Sequence, residues 1–276
     1  ALATLVKVEG SSYRRRGARR LIEADGPAIG AISGGCLESD IDVHALQLIS
    51  STSTSILKTY DTTSENDILW GVGTGCHGIV HVLIEKLKEC PPWAHAVQRV
   101  KIHRNSVTLQ TRWAQRPGGE AVLGTSLAMG ESPDATTLLD QVVLPPRRLV
   151  IFGPRPAFAT KSRFSGADSV ECQPAEIAAS RIDWDDRTVA VIMTHHYRFD
   201  LPLLKTLLPL NLPYLGLLGP KQRGERLIAD AGFSTGDITL HSPVGLDLGG
   251  DGAEAIALAI ISEIQAHLNE RPATPL

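Results

Sequence analysis

The chain of 276 residues has a mass of 29.6 kDa, enough for two domains that each bury a core. Hydrophobic residues make up 43% and charged residues 21%, with a net charge of -3, which is typical of a globular protein and excludes a broadly basic nucleic-acid-binding chain. No stretch reaches the roughly eighteen apolar residues of a membrane span. The four scattered cysteines do not form a secreted disulfide framework, so we expect free thiols and a cytoplasmic protein.

The first ninety residues predict short strands separated by glycine-rich turns, with one helix among them. Strands are expected in "ALATLVKVEG", "ARRLIEADG", "PAIGAIS" and "IVHVLI". Apolar residues recur at helical spacing from Leu37 to Ile49, and Glu38 and Asp40 would complement the positive N-terminal end of that helix. Further short strands and a helix after "CPP" complete a first, mixed α/β domain over residues 1–145.

The pattern changes after residue 145 to that of a doubly wound parallel sheet. Continuous apolar strands in "RLVIFG", "TVAVIMTH" and "PYLGLLG" alternate with helices in "FDLPLLKTLL", "KQRGERLIADAG" and "AEAIALAIISEIQAHL". Asp200 is predicted to be the N-cap of the first helix, and Gly232 to end the second. These features predict an α/β domain over residues 146–276.

One connection in this second domain is too short. A nucleotide-binding sheet sends its first strand into a glycine turn and a crossover helix, and a parallel crossover needs a dozen residues or more. Here "RLVIFG" runs directly into "PRPAFATKSRF", without a helix or a second strand. We infer that one crossover segment is missing between Gly153 and Pro154.

Cys36 follows two glycines, Gly34 and Gly35, directly before the first predicted helix. The dipole and unpaired amides of a helix N-terminus favour a thiolate, which makes Cys36 a candidate ligand of a soft metal or sulfur. The alternative is a small buried apolar residue, because free cysteines are commonly buried. A zinc site is not supported, since the sequence has no C-x-x-C pair.

The segment "GTGCHG" matches G-x-G-x-x-G, but a strand follows it where a dinucleotide site requires a helix, so we interpret the match as accidental. It still offers glycine amides at Gly73 and Gly75 next to a second thiol, Cys76. The alternative is a tight turn packed on the core.

Two further regions could hold anions. The run "RRRGARR" places Arg14 and Arg19 among five arginines, which predicts either an anion site or a solvated charged face. In the second domain, His195 and Gly219 follow predicted strands at the edge where open α/β sheets bind ligands, although Gly219 could simply form a turn.

Seven segments together resemble the XdhC/CoxI family, the accessory proteins of xanthine dehydrogenase and carbon monoxide dehydrogenase. The resemblance covers nearly the whole chain and weakens over residues 91–145. It is carried by "EGSSYRRRGARRLI", "GAISGGCLESD", "WGVGTGCHGIVHVLIE", "PRPAFATKSRF", "VIMTHHYRFDLPLL", "YLGLLGPKQRGERL" and "HSPVGLDLGG" with the helix after it.

The resemblance implies a non-catalytic chaperone that binds molybdenum cofactor (molybdopterin), protects it during sulfuration by a cysteine desulfurase, and inserts it into an apo molybdoenzyme of the xanthine dehydrogenase family. It also implies a homodimer, a Rossmann-like second domain, and Cys36 as the metal ligand. The family pattern carries over onto Ser33, Gly34, Gly35, Cys36, Glu38, Gly73, Gly75, Cys76 and His195, together with the glycines at the strand ends that include Gly219. Tyr13 and Arg16 depart from it, since both stand where the family usually has proline.

Two alternatives stay open. An NAD(P)-binding oxidoreductase would use the second domain, with His195 as acid or base, and would require a G-x-G-x-x-G in the missing segment. The second alternative is a scaffold that binds only protein partners.

Overall fold

The structure, a computed structural model, describes residues 1–63, 78–114, 123–128, 137–153, 160, 162–234 and 239–274. The chain forms two compact units, Ala1–Pro145 and Pro146–Leu276. No helix among these described residues has the length and apolar character needed to cross a membrane.

The first unit is built on an antiparallel sheet of five strands in the order β3-β2-β1-β5-β4. The strands are β1 (Leu2–Gly10), β2 (Arg19–Leu21), β3 (Ile29–Gly30), β4 (Ser55–Asp61) and β5 (Gly78–Glu85). The predicted helix is present as α1 (Glu38–Ser50), and its apolar stripe of Ile41, Ala45 and Leu48 is buried in the same core as β1 and β5. The helical spacing read from the sequence therefore identifies the face that packs on the sheet.

A smaller part of the first unit follows, beginning with helix α2 (Pro92–His103). It continues with three antiparallel strands in the order β7-β6-β8, namely β6 (Val107–Arg112), β7 (Gly124–Leu127) and β8 (Leu138–Val143). The Arg16 guanidinium joins this sheet to the main one, because it donates to the carbonyl oxygens of Val6 (2.6 Å) and Leu138 (2.6 Å). The turn between β1 and β2, which contains Arg14, Arg15 and Arg16 of the arginine run, is fixed in this way.

The second unit contains a parallel sheet of four strands in the order β10-β9-β11-β12. The mixed α/β class with a Rossmann-like parallel sheet is confirmed. The strands are β9 (Arg148–Phe152), β10 (Ser169–Glu171), β11 (Thr188–Ile192) and β12 (Tyr214–Leu217), and the helices are α3 (Ala175–Ser180), α4 (Tyr197–Leu207), α5 (Lys221–Ala231) and α6 (Ala253–Leu268), with a 3-10 turn at Leu208–Leu210. Helix α5 ends as predicted, with Gly232 in the left-handed conformation at φ 87°.

The connection after β9 differs from the sequence prediction in one respect. A second strand does follow, since β10 pairs in parallel with β9, so the expectation that the strand was missing is wrong. Only three residues form β10 and none is fully buried, which is why no apolar run marks it. In the described part of the connection, Gly153, Thr160 and residues 162–168, the chain forms turns and no helix.

This connection affects one face of the parallel sheet. One face packs on α3, α4 and α5, with Phe152 and Leu204 in its core, and the other packs on α6 through Val191 and Ile260. Because β10 and β12 extend the sheet in opposite directions, right-handed crossovers would place a helix between β9 and β10 on the α6 face. A cavity of about 250 Å³ lies there, lined by β9, β11, α6 and the turn near Gly166.

Asp200 is not the N-cap of α4, which corrects the sequence prediction. The helix begins three residues earlier, at Tyr197, and His196 is its N-cap. Asp200 is fully buried, where its carboxylate accepts hydrogen bonds from the Thr194 hydroxyl and the Arg223 guanidinium. This ion pair joins α4 to α5 directly beneath the ends of β11 and β12.

Replacing Asp200 with alanine should lower the free energy of unfolding by about 3–5 kcal/mol, because Arg223 would keep a partly buried charge without its partner. Urea denaturation followed by circular dichroism measures the change. Glu225→Ala is the control, since the exposed pair of Glu225 with Lys221 should contribute less than about 1 kcal/mol. Equal effects of the two variants would contradict a stabilising role for the buried pair.

Candidate functional site

The loop that carries Cys36 leads from β3 into α1. Gly34, Gly35 and Cys36 are exposed, whereas Ser33 and Leu37 on either side of them are buried. The alternative of a buried cysteine is therefore wrong. The helix begins at Glu38, two residues after Cys36, so the thiol lies just before the first turn of α1.

The shape of this loop depends on the side chains of Ser33 and Glu38. One Glu38 carboxylate oxygen accepts the backbone N–H groups of Ile32 (3.0 Å) and Ser33 (2.7 Å), and the other accepts the Ser33 hydroxyl. The Ser33 oxygen in turn accepts the backbone N–H groups of Gly35 (3.2 Å) and Leu37 (3.1 Å). Glu38 thus acts within the loop as a clamp, which is a different task from contacting a ligand.

The pKa of Glu38 is lowered from its ordinary value. Burial by itself would raise that pKa, but the hydrogen bonds from Ser33 and the backbone stabilise the charged form and outweigh burial. The carboxylate is therefore ionised when it holds the loop. Its negative charge already accepts hydrogen bonds from three donors, the backbone N–H groups of Ile32 and Ser33 and the Ser33 hydroxyl.

The loop leaves some backbone donors unused. Among the described residues, neither Gly34 nor Cys36 has a hydrogen-bond partner for its backbone N–H, and both residues are exposed. The conformation depends on Gly35, whose φ of +116° lies in a region that only glycine enters readily. An exposed thiol with two free amides beside it can receive a thiophilic metal or an anionic group.

The arginine run contributes one cation to this neighbourhood. Tyr13 packs over Gly34, and the guanidinium carbon of Arg14 lies 5.9 Å from the centroid of the Tyr13 ring. Arg14 has no acidic partner among the described residues. Arg16 is already committed to carbonyl groups, and Arg20 pairs with Asp42 through two hydrogen bonds of 2.7 Å.

Arg19, the other arginine predicted to bind cofactor, points elsewhere. Its guanidinium lies 3.4 Å from the Thr111 hydroxyl of β6. The pKa of Arg19 is lowered, because the effect of burial outweighs the opposing effect of the nearby Glu85 carboxylate. Glu85 is itself buried and accepts the Thr125 backbone N–H at 2.8 Å. Arg19 therefore takes part in a polar cluster between the two sheets, and its predicted contact with a cofactor stays a prediction.

Three predicted residues, Gly73, Gly75 and Cys76, lie outside the described residues. The proximity of Cys76 to Cys36 therefore stays a prediction. Within the described ranges, no three His, Cys, Asp or Glu side chains converge as metal ligands would.

His195 and Gly219 lie at one edge of the parallel sheet of the second unit. They follow the neighbouring strands β11 and β12, and both have positive φ angles, 56° for His195 and 141° for Gly219. His195 is exposed, while Gly219 faces the Arg223 guanidinium, which is occupied by Asp200. A cavity of about 290 Å³ opens at the same edge, lined by residues that include Gly153, Cys172, Thr194, Arg198 and Phe199.

The segment "HSPVGLDLGG", which begins beside β12, is held by Glu263 of α6, a residue that the sequence did not single out. Its carboxylate accepts the Tyr214 hydroxyl (2.6 Å) and the Gly245 backbone N–H (2.7 Å), and lies 3.0 Å from His241 Nδ1. Burial by itself would raise the pKa of Glu263, but these hydrogen bonds outweigh burial, so the net shift of the pKa is downward. No local pattern identifies Glu263, because its partners are 18 to 49 residues away in the chain.

The chain matches known families over both of its units. A family model described as the XdhC Rossmann domain matches residues 127–264, and one described as the XdhC and CoxI family matches residues 1–61. A protein of Bacillus subtilis, described as a probable subunit of xanthine dehydrogenase, is 32% identical over 95% of this chain and 91% of its own. The molybdenum cofactor insertion chaperone PaoD from Escherichia coli is 26% identical, over 95% of this chain and 81% of its own.

The fold also has a solved counterpart. A crystal structure of a xanthine dehydrogenase from Bacillus halodurans superposes with a TM-score of 0.80 at 26% identity, covering 99% of this chain and 93% of the other.

Gly35→Ala should lower the free energy of unfolding by about 1–3 kcal/mol, because alanine is strained at a φ of +116°. Gly34→Ala is the matched control. Its methyl group would meet the Tyr13 ring at 3.4 Å, an ordinary contact, so it should change stability by less than about 0.5 kcal/mol. Thermal or urea denaturation compares them, and a larger loss for Gly34→Ala would refute this account of the loop.

Glu38→Gln should lower stability at pH 7 by about 1 kcal/mol, a value that allows for the solvent exposure of the carboxylate. Because the folded-state pKa lies below the ordinary 4.5, the ionised group stabilises the fold above that pH, and the effect is lost as pH falls through the folded pKa. Unfolding curves from pH 7 to pH 3 should therefore converge for the variant and the native protein. Glu89→Gln, at an exposed side chain, is the control and should change stability at pH 7 by less than about 0.5 kcal/mol. A constant difference between Glu38→Gln and the native protein across this pH range would speak against the clamp.

Proposed function

Because the chain belongs to the XdhC and CoxI family, we propose that it binds molybdenum cofactor and delivers it to a molybdoenzyme of the xanthine dehydrogenase type. The observation that carries this proposal is the exposed Cys36 thiol on a loop clamped by Ser33 and Glu38. The names of the two relatives support it, one as an insertion chaperone and the other as a probable subunit of xanthine dehydrogenase. In this role the chain acts as an accessory protein and carries out no turnover itself.

The residues of the loop fit the chemistry of this cofactor. Molybdenum cofactor is a pterin dithiolene with a phosphate, and it supplies a metal with an affinity for sulfur. Cys36 offers one soft ligand, which suits a metal already held by the dithiolene of its own pterin. The free backbone N–H groups of Gly34 and Cys36 and the Arg14 guanidinium can bind anionic oxygens.

Ser33 and Glu38 prepare the loop for this task. They fix four backbone N–H groups between Ile32 and Leu37, so little conformational entropy remains to be lost when a ligand binds. The clamp lies on the buried side of the loop and Cys36 on the exposed side. We assign Glu38 to positioning, and Cys36 to contact with metal or sulfur.

The remaining predicted residues extend the same proposal. Gly73, Gly75 and Cys76 would supply further amides and a second thiol, and Arg19 would support the first unit from within. His195 and Gly219 in the second unit would hold the phosphate end of the cofactor or form a partner surface. The first unit would then be the XdhC/CoxI-type domain and the second the Rossmann-like domain.

The proposed partners follow from the same role. A cysteine desulfurase would supply the terminal sulfur while the cofactor is bound, and the apo molybdoenzyme would receive the product. We further propose a homodimer that works in the cytoplasm. We do not propose an NAD(P)-dependent oxidoreductase, because the glycine fingerprint that it requires would lie in the segment inferred to be missing after Gly153, whereas the relatives of this chain are named for xanthine dehydrogenase and for molybdenum cofactor insertion.

Replacing Cys36 with alanine should reduce the molybdenum that co-purifies with the protein by about tenfold or more. Even the loss of a residue that only hydrogen-bonds to a metal ligand typically lowers metal affinity by about that factor. The protein is purified from cells that make molybdenum cofactor, and molybdenum is measured by mass spectrometry. Activation of an apo molybdoenzyme by the purified protein is the second readout.

Cys90→Ala is the matched control, because Cys90 is the other described cysteine that is exposed and it lies outside the loop. It should retain molybdenum like the native protein. Equal retention and equal activation by the Cys36 and Cys90 variants would refute the ligand role of Cys36.

A further inference from the structure

Tyr13 occupies an unusual position beside the Cys36 loop. Its side chain is 68% exposed, the highest value among the large apolar and aromatic side chains of the described residues. It stands where the family resemblance leads us to expect proline, so the family pattern does not account for it. Single exposed aromatic residues are common on protein surfaces, and the interest of Tyr13 therefore rests on what it touches.

The ring of Tyr13 lies over the first glycine of the loop. A methyl group on Gly34 would be 3.4 Å from Cγ and 3.5 Å from Cδ2 of the ring, which places the end of the ring nearest the backbone against the Gly34 peptide. The hydroxyl end makes no hydrogen bond within the described part of the chain. Most of the ring surface is therefore free to stack on a planar group that enters the loop.

Arg14 adds a positive charge to this aromatic surface. Its guanidinium carbon lies 5.9 Å from the ring centroid, within the range of a cation–π contact, and the side chain is exposed. No carboxylate pairs with it among the described residues, whereas Arg16 and Arg20 of the same run are both occupied. A ring surface with an adjacent unpaired guanidinium matches a planar heteroaromatic group that carries a phosphate.

We propose that Tyr13 and Arg14, together with the Gly34 peptide, form a binding surface for a planar heteroaromatic ring bearing a phosphate. The proposal rests on the function proposed above and deepens it. The Tyr13 ring stacks on the pterin of the cofactor, the Arg14 guanidinium pairs with its phosphate, and the Cys36 thiol two residues beyond Gly34 is left for the metal. Tyr13 would then select ligands by their flat ring, independently of the metal.

The test uses neopterin monophosphate, a fluorescent pterin that has a phosphate but no dithiolene sulfur and no metal. Its dissociation constant for the full chain is measured by fluorescence anisotropy. Tyr13→Ala should weaken binding by about tenfold, the effect expected for losing one aromatic stacking partner, while Tyr13→Phe should bind like the native protein. Ile102→Ala, at a residue 67% exposed on α2, is the control for loss of an exposed apolar side chain and should leave binding unchanged.

The phosphate contact is tested separately. Arg14→Ala should weaken the binding of neopterin monophosphate but leave the binding of unphosphorylated neopterin unchanged. A parallel titration with AMP shows whether the surface prefers a nucleotide or a pterin as the phosphate-bearing ring. The proposed surface is supported if either probe binds and its binding depends on Tyr13. Failure of both probes to bind the native protein, or an equal effect of Tyr13→Ala, Tyr13→Phe and Ile102→Ala, would overturn the proposal.

Cys36→Ala separates this proposal from the proposed function. Since the probe lacks metal and dithiolene, its binding should not change when the thiol is removed. Loss of molybdenum retention in Cys36→Ala with unchanged probe binding in Tyr13→Ala would refute the stacking surface and leave the chaperone role standing. Dependence of probe binding on Tyr13, together with normal molybdenum retention in Cys36→Ala, would support the stacking surface and refute the ligand role of Cys36.

Discussion

The Glu38 carboxylate determines the geometry of the candidate site. It reaches back from the first turn of α1 to the backbone N–H groups of Ile32 and Ser33, and it binds the hydroxyl of a serine that in turn fixes Gly35 and Leu37. A loop of two glycines would otherwise sample many conformations, because glycine loses more conformational freedom on folding than any other residue. The hydrogen bonds of Ser33 and Glu38 restrict this freedom, so the loop has a defined structure although two of its residues are glycines.

The two units manage buried charge in a similar way. Glu38 and Glu263 both lose solvation on burial, and both are kept ionised by hydrogen bonds from hydroxyl and backbone groups. Asp200 is the most buried of these three acidic groups and has the Arg223 guanidinium as its partner. In each case, an acidic side chain connects a helix to a neighbouring loop or strand.

Much of the fold follows from local sequence patterns, but less of the site does. The helix at Leu37 to Ile49 and the glycine that ends α5 depend on spacing and backbone preference, which are readable in a short window. In such a window Asp200 is an acidic residue near the start of a helix, which resembles an N-cap. Its true partner, Arg223, lies 23 residues away in the chain and therefore outside the window. The family resemblance predicts that Glu38 belongs to the site, yet its clamp role depends on where the backbone of residues 32 and 33 turns, which no spacing rule gives.

The uneven covering of the parallel sheet has a consequence for motion. On one face, Leu203, Leu204 and Leu207 of α4 are buried, whereas on the other Ile261 of α6 is half exposed beside an open cavity. Separating α6 from the sheet therefore brings less new apolar area into water than separating α4, and so costs less free energy. Amide hydrogen exchange in this unit is consequently expected to begin at α6, on the side of the sheet where the cavity lies.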